Sequence, residues 1–496
     1  MPAPIASLVE RSGSKPGAPA LIGGAKTVTY ASLLRGVQSG AAWLHRSGVR
    51  AGDTVAYTLD LEPAHYVRQV ELFYAIAYLG AAILPFYPEA AAAPRGQLVA
   101  RFDARWLISA HALETGGASI RLDPSEYDAA RGTWPEIAAP RGDDPARPFL
   151  YEFSSGTTGT PKVVLFSGDQ YAAIRLTLAR AYGLRESDIM VAALRWPTKV
   201  GLRGLVRAHL LGAAYADEPF PDTRGDLARL VGEIGVTSVD SSPWQLRRLL
   251  ASELPAGLRR PPLRVLGTAG AFIAPREIQA ARETLTANFH VTYGNTEIGM
   301  IAHLHPEDPV DAGPRLVPGM DGEAVDDYGR PLPAGQPGRL RFRAPWLPEG
   351  YAGNVEGTVE SFRDGWFLSS DFGSIDAAGR VALRGRTDDA INFGGAKILP
   401  RDVECELEAH PDIADAALVG MPDAMAGEIP VAFVVVRRPV SVAALHSFLA
   451  GRLDHWQVPA AIVTTPEIPR NPEGKILRER LRAAYADPGT SRNQEN

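Results

Sequence analysis

Apolar residues recur along the first 150 positions in two alternating rhythms. From Thr29 the positions Leu33, Leu34, Val37, Ala41 and Leu44 repeat at three- and four-residue spacing. That spacing predicts a helix with one buried face, with Thr29 as its N-cap and Gly48 and Gly52 beyond its end. Thr54 to Leu59 then reads as a strand, and Pro63 opens a second helix running through Tyr66, Val70 and Phe73 to Gly80. Ala82 to Leu84 and Trp106 to Ser109 are short buried strands. Arg131 to Pro148, rich in Pro and Gly, is a connector. The rhythm resumes with strand-like runs at Phe149 to Phe153, Ile189 to Leu194, Ala213 to Tyr215, Val236 to Val239 and Leu263 to Leu266. Strand–helix–strand alternation predicts parallel sheets with helices on their faces.

From Pro314 to Pro345 the pattern breaks into short apolar pieces between Pro and Gly, as a small β-barrel or meander would. At Arg384-Gly385-Arg386 it changes again, to a compact α+β unit with a helix at Val403 to His410 and a strand at Val431 to Val436. The expected fold class is α/β. Residues 1–386 form a large N-terminal domain of parallel-type sheets packed with helices plus a small β-barrel. Residues 387–486 form a small α+β C-terminal domain, and 487–496 a polar, disordered tail.

Composition narrows the partners. At 496 residues, 45% hydrophobic, the chain can bury two sizeable cores. Its 51 basic and 57 acidic residues argue against a nucleic-acid or membrane-surface partner. The most apolar stretch, Tyr74 to Tyr87, is too short to span a bilayer and contains Gly80 and Pro85. Cys405 stands alone, which excludes an internal disulfide and suits a reducing compartment; it reads as a packing residue. Met-Pro-Ala-Pro-Ile carries no charged region ahead of an apolar core, so no secretory signal is read and a cytoplasmic location is expected.

The chemistry centres on Ser154-Ser155-Gly156-Thr157-Thr158-Gly159-Thr160-Pro161-Lys162, directly after the strand at 149–153. Glycines let backbone N–H groups come close to an anion, hydroxyls donate to it, and Lys162 adds charge. The spacing is not that of P-loop NTPases: five residues separate Gly156 from Lys162, and neither Ser nor Thr follows the lysine. Taken by itself such a run is a polar surface loop. The whole string, however, resembles the phosphate-binding loop of the adenylate-forming superfamily, which includes acyl-CoA synthetases, peptide-synthetase adenylation domains and luciferases. Val163 stands where many members have glycine.

Other motifs follow in that family's order. Tyr293-Gly294-Asn295-Thr296-Glu297 resembles its second signature, expected in a loop at a strand end. The resemblance implies that Tyr293 stacks on adenine, Thr296 contacts the α-phosphate, and Glu297 holds Mg²⁺ together with Thr158. Gly270-Ala271-Phe272 is similar to the segment lying along adenine and the acyl pocket. Gly365-Trp366-Phe367-Leu368-Ser369-Ser370-Asp371 resembles the ribose motif, Asp371 taking both hydroxyls, with Ser369-Ser370 in place of the usual Thr-Gly. Gly385-Arg386-Thr387-Asp388-Asp389 looks like the hinge motif, with Arg386 on the ribose and Asp388 as the pivot of a mobile C-terminal domain. Gly394-Gly395-Ala396-Lys397-Ile398 resembles the loop lining the thiol tunnel. Pro469 to Ile476 matches the C-terminal motif that carries the catalytic lysine, here Lys475.

Substrate selection is expected from Arg195 to Arg207 and near Ser241 to Trp244. Counting back from Leu211-Gly212-Ala213, Lys199 falls where amino-acid-activating members carry an aspartate for the α-amino group. A lysine there repels an ammonium, so an ordinary α-amino acid is not expected. Arg195, Lys199, Arg203 and Arg207 recur every four residues, which would align them on one helical face. That face is either solvated or lines a pocket for an acid with a second anionic or polar group, with Trp196 and Trp244 as aromatic walls.

The resemblance implies a ligase using ATP and Mg²⁺. It would join a small carboxylic acid to AMP, then pass the acyl group to CoA or to the thiol of a carrier protein acting in trans. An amine acceptor, activation of a small inorganic anion such as nitrite for N–N bond formation, and a non-catalytic nucleotide-binding role are the alternatives. Lys475, Glu297 and Asp371 speak against the last.

Overall fold

Thr29 accepts a hydrogen bond from the Ser32 amide (3.2 Å) and starts helix Tyr30–Ser47, which ends at Gly48 in the left-handed region (φ 109°). Leu33, Val37, Ala41 and Leu44 are buried along it, as their spacing predicts. The helix packs on Tyr66–Tyr78, and Gly36 permits the approach: a Cβ there would fall 2.1 Å from Glu71 Oε1. Pro63 opens a single 3₁₀ turn, Pro63–His65, ahead of that second helix.

The computed structural model describes residues 2–23, 26–88, 95–110, 120–132, 147–154, 162–253, 263–471 and 474–486. The chain divides into two compact units, residues 1–320 with 343–367, and 321–342 with 368–496.

In the first unit the alternating pattern builds two sheets among the described residues. One runs Ile120–Leu122, Trp106–Ile108, Thr54–Thr58, Ala82–Phe86, Pro148–Ser154, Lys162–Ser167. Its first five strands are parallel, and the last turns back antiparallel with Lys162 opposite Ser154. The other, nine-stranded, has a parallel centre from Phe289–Asn295 through Val265–Thr268, Ser238–Ser241, Ile189–Val191 and Ala214–Ala216 to Pro19–Gly23, with antiparallel strands at both ends. Strands start or stop up to three residues from where apolar runs suggest. Val236, for example, is buried, yet its amide closes the preceding helix on the Leu230 carbonyl (3.2 Å) rather than pairing in the sheet.

The short apolar pieces form a five-stranded sheet in the order Asp321–Val325, Gly338–Arg343, Trp366–Ile375, Phe362–Arg363, with Val381–Arg386 also paired to Trp366–Ile375. It is open, and no closed barrel forms among the described residues. The C-terminal α+β segment centres on the antiparallel pair Ile413–Asp423 and Gly427–Val436. Helix Pro400–Ala409 packs on that pair through Val403 and Leu407, within a cluster that also holds Leu418, Val434 and Leu449. Cys405 lies half-buried in that helix, its thiol pushed up to about 11 by burial, as befits a packing residue. No helix among the described residues is long and apolar enough to cross a membrane.

Candidate active site

The strand Pro148–Ser154 and the hairpin Phe289–Asn295/Gly299–Leu304 carry the site of the first unit. Ser155, Gly156, Thr157, Thr158 and Gly159 lie outside the described residues; Ser154 and Lys162, the two ends of their loop, face each other across the strand pair.

Tyr293, Gly294 and Asn295 are not in a loop. They continue the strand, with a register shift between Tyr293 and Gly294, and the turn comes only at 296–298. Gly294 allows this pairing, because a Cβ would meet the Gly299 carbonyl at 2.2 Å. Asn295 Oδ1 accepts from the Ile298 amide (3.0 Å) and holds the turn closed. Thr296 and Glu297 are thereby presented at the strand end.

Glu297 is only 7% exposed. Its Oε1 accepts from the Tyr351 hydroxyl (3.0 Å), and Lys162 Nζ lies 5.0 Å over the Tyr351 ring. Burial, together with the Glu297 charge, pushes the Tyr351 phenol far up, so it stays a donor. A carboxylate with one oxygen engaged and the other without a hydrogen bond among the described residues suits a hard cation. No group of three or more His, Cys, Asp or Glu side chains that could hold a metal is found among the described residues.

The basic series resolves differently from its spacing. Helix Lys199–Leu211 begins after the N-cap Thr198, whose side chain accepts from the Gly201 amide (2.9 Å). Arg195 precedes that cap and does not share the helical face. It pairs with the buried Asp217 (2.9 Å), while the Trp196 indole donates to Gln69 Oε1 (2.9 Å). Both line a cavity of about 250 Å³ with Asp60, Glu62, Tyr66 and Gln69. The arginines on the helix do not form a solvated face: each is paired with an acid. Arg207, 4% exposed, is paired with Asp240, and Arg203 grips Glu152 through Nε (3.1 and 3.2 Å) and Nη2. Arg203 Nη2 also donates to Thr296 Oγ1 (3.3 Å), and Lys199 Nζ donates to the Phe153 carbonyl (3.4 Å).

Glu152, Tyr171 and Tyr351 escaped the sequence reading. Glu152 is fully buried and also accepts from the Tyr171 hydroxyl (2.9 Å). One signal was present: a lone acid inside the apolar run Phe149 to Phe153 must find a partner. Ser241 spends its hydroxyl on the Gly267 carbonyl (2.9 Å), and Trp244, 42% exposed, lies 4.8 Å beneath Arg248. Gly270 takes a left-handed φ of 101° beyond strand Val265–Thr268; Ala271 follows it, and the Phe272 carbonyl accepts from Arg247 (3.3 Å).

The second unit brings Asp371 and Arg386 together as partners across one strand pair, 3.8 Å apart. Ser369 Oγ donates to Asp371 Oδ2 (3.1 Å) and accepts from its amide (2.9 Å). Ser370 Oγ, where the family pattern has glycine, accepts from Arg386 Nη2 (2.9 Å), so the extra hydroxyl steadies the guanidinium. Asp388 sits in the 3₁₀ turn Thr387–Asp389 and also accepts from Arg386 (3.0 Å). Gly394 and Gly395, both at positive φ, form an open turn with no atom within 4 Å of an added Cβ. Lys475 is exposed on a turn fixed by Asn471, whose Oδ1 accepts from the Lys475 amide (2.9 Å).

A family profile described as AMP-binding enzyme matches residues 8–352, and one described as AMP-binding enzyme C-terminal domain matches residues 402–475. The fatty acid–[acyl-carrier-protein] ligase ScoC of Streptomyces coeruleorubidus is 30% identical over 499 residues, covering 95% of this chain and 94% of its own. ATP-bound MatB from Rhodopseudomonas palustris shares the fold, with a TM-score of 0.86 at 24% identity over 98% of this chain and 99% of that one. The o-succinylbenzoate coenzyme A synthetase MenE of Bacillus subtilis, solved with ATP and magnesium, matches with a TM-score of 0.81 at 25% identity over 96% and 98%. The chain therefore belongs to the AMP-binding enzyme family.

Proposed function

We propose that this enzyme is an AMP-forming acid ligase, dependent on ATP and Mg²⁺, that adenylates a small carboxylic acid and passes the acyl group to the thiol of CoA or of a carrier protein. The observation that carries the reading is the buried Glu297 carboxylate, held by Tyr351 beside Lys162 at the end of the phosphate loop. A carboxylate oxygen of the acid attacks the α-phosphorus, and the bond to pyrophosphate breaks. This step needs no protein nucleophile, only in-line placement of two anions and neutralisation of the charge that develops. Lys162 and the 154–162 loop hold the phosphate side, Thr296 orients the α-phosphate, and Lys475 bridges it to the incoming carboxylate. Mg²⁺ on Glu297 and Thr158 would neutralise the phosphate oxygens. Asp371, steadied by Ser369 and Arg386, takes the ribose hydroxyls. The kinship with ScoC and MenE, named for carrier-protein and CoA ligation, supports a thiol acceptor.

The test is pyrophosphate release across a panel of carboxylic acids, with and without CoA. Absence of ATP-dependent release from every acid would sink the reading. Within that assay Glu297→Ala should raise the Mg²⁺ needed for half-maximal rate by about 10- to 100-fold, the worth of one charged contact. An unchanged requirement would remove Glu297 from the metal.

The acid itself carries a second anionic or polar group. Lys199, the first residue of its helix and next to the Phe153 carbonyl, excludes an α-ammonium and attracts an oxygen. Lys199→Met keeps the apolar stem and removes the charge. The best acid should lose about 1.5–3 kcal/mol of binding, and an analogue lacking the second group should lose less. An unchanged ratio of the two specificity constants would place Lys199 outside the pocket.

A further inference from the structure

Three cations gather around one carboxylate beneath the Thr296 turn. Glu152 is buried in its strand, gripped by Arg203 and by the Tyr171 hydroxyl. Lys199 approaches it along the Phe153 carbonyl. Arg175 enters from helix Gly168–Ala181, one turn beyond Tyr171, with its guanidinium carbon 5.0 Å from the centre of that ring. Arg175 is 9% exposed, its Nε has no hydrogen-bond partner, and no carboxylate pairs with it among the described residues.

A buried guanidinium without a matching anion is unfavourable, and proteins keep such charges paired. Glu152 reaches Arg175 electrostatically, but its two oxygens are held by Arg203. Burial pushes the Glu152 carboxyl up, yet Arg203, Arg175 and Lys199 bring it down to about 2. For Arg175 burial is the largest influence and brings it down to about 10, so it remains cationic at neutral pH. Its neighbour Arg207 is no source of relief, being another cation already paired with Asp240.

We propose that Arg175, Arg203 and Lys199, with Glu152 as a fixed counter-charge, form an oxyanion site beside Thr296 that holds the second carboxylate of a compact dicarboxylic substrate. The assignment rests on the adenylation reading, because it takes Thr296 as the residue at the α-phosphate. Arg203 then has two roles: it bridges Glu152 to Thr296 and presents one edge of the site. Arg175 supplies the unmatched charge. The same oxyanion chemistry could come from a nucleotide phosphate, and the two sources are separable by titration.

Wild type, Arg175→Met and Arg175→Lys are each titrated calorimetrically, as full chains, with succinate, with butyrate and with ATP plus Mg²⁺. Butyrate has the length of succinate without the second carboxylate. Wild type should prefer succinate. Arg175→Met should weaken succinate by about 10- to 100-fold and leave butyrate and ATP within about twofold. Arg175→Lys, which keeps the charge but not the planar fork, should recover part of the loss and serves as the test if the methionine variant does not fold. Loss confined to ATP would assign the oxyanion to a nucleotide phosphate. Unchanged affinity for all three, or a wild type indifferent to succinate over butyrate with ATP unmoved, would overturn the site. The adenylation reading stands or falls separately, on pyrophosphate release by the wild type.

Discussion

Lys475→Ala is expected to slow acyl-adenylate formation by about 10²–10³-fold while leaving thiol attack on a supplied acyl-adenylate nearly unchanged. The magnitude is that of removing one preorganised charge from a transition state that gains negative charge. The asymmetry follows from chemistry. Bridging the carboxylate to the α-phosphate helps only while the anhydride is being made; once it exists, the incoming thiol needs placement at the acyl carbon. The substitution should leave the fold alone. The Lys475 side chain is exposed, and its turn is set by backbone contacts to Asn471 and by Arg470, which pairs with Asp415 (2.8 and 2.9 Å) and donates to the Gly474 carbonyl (3.0 Å). Exposed positions of that kind rarely shift stability beyond about 0.5 kcal/mol. The measurement is single-turnover kinetics of each half-reaction. Equal losses in both would make Lys475 a structural residue and undo its assignment.

Much of this site was legible because it is built from local signals. Tyr293-Gly294-Asn295-Thr296-Glu297 and the run to Lys162 are contiguous strings whose order along the chain carries their meaning. The helix from Thr29 announced itself through one cap and one apolar stripe, and the structure follows both. What escaped depends on contacts distant in sequence. Glu152 meets Arg203 across 51 residues, and Tyr351 meets Glu297 across 54; no local pattern pairs them. The four-residue recurrence of basic residues misled for a different reason. The four-residue spacing runs on through Trp196-Pro197-Thr198, although a threonine N-cap there separates Arg195 from the helix. A stricter reading of start signals would have excluded Arg195 and kept Lys199, Arg203 and Arg207. The burial of Arg207 and the partial burial of Arg203 lay beyond any sequence pattern, because both depend on acids in distant strands, Asp240 and Glu152.

Glu152→Ala is expected to cost about 3–5 kcal/mol of stability, the range for removing one partner of a buried ion pair. The deletion leaves the Arg203 guanidinium and the Tyr171 hydroxyl facing a void, and removes a carboxylate whose charge also reaches Arg175 and Lys199. Replacing both partners, Glu152→Leu with Arg203→Met, should restore most of that loss, since two apolar groups of similar volume remove the unpaired charge along with the pair. The pH dependence has a definite sign. Glu152 titrates near 2 in the folded chain against an ordinary value of 4.5, so it binds fewer protons folded than unfolded at intermediate pH. Its contribution is therefore complete above about pH 4.5 and is lost as pH falls towards 2. Wild type should lose stability across that window more steeply than the double variant, which lacks this carboxylate. Denaturant midpoints measured at pH 7 and at pH 3.5 for the three proteins decide it. If Glu152→Ala costs less than about 1 kcal/mol, or if wild type and double variant fall in parallel with acid, the pair is solvated, and the charge imbalance assigned to this cluster has no energetic weight.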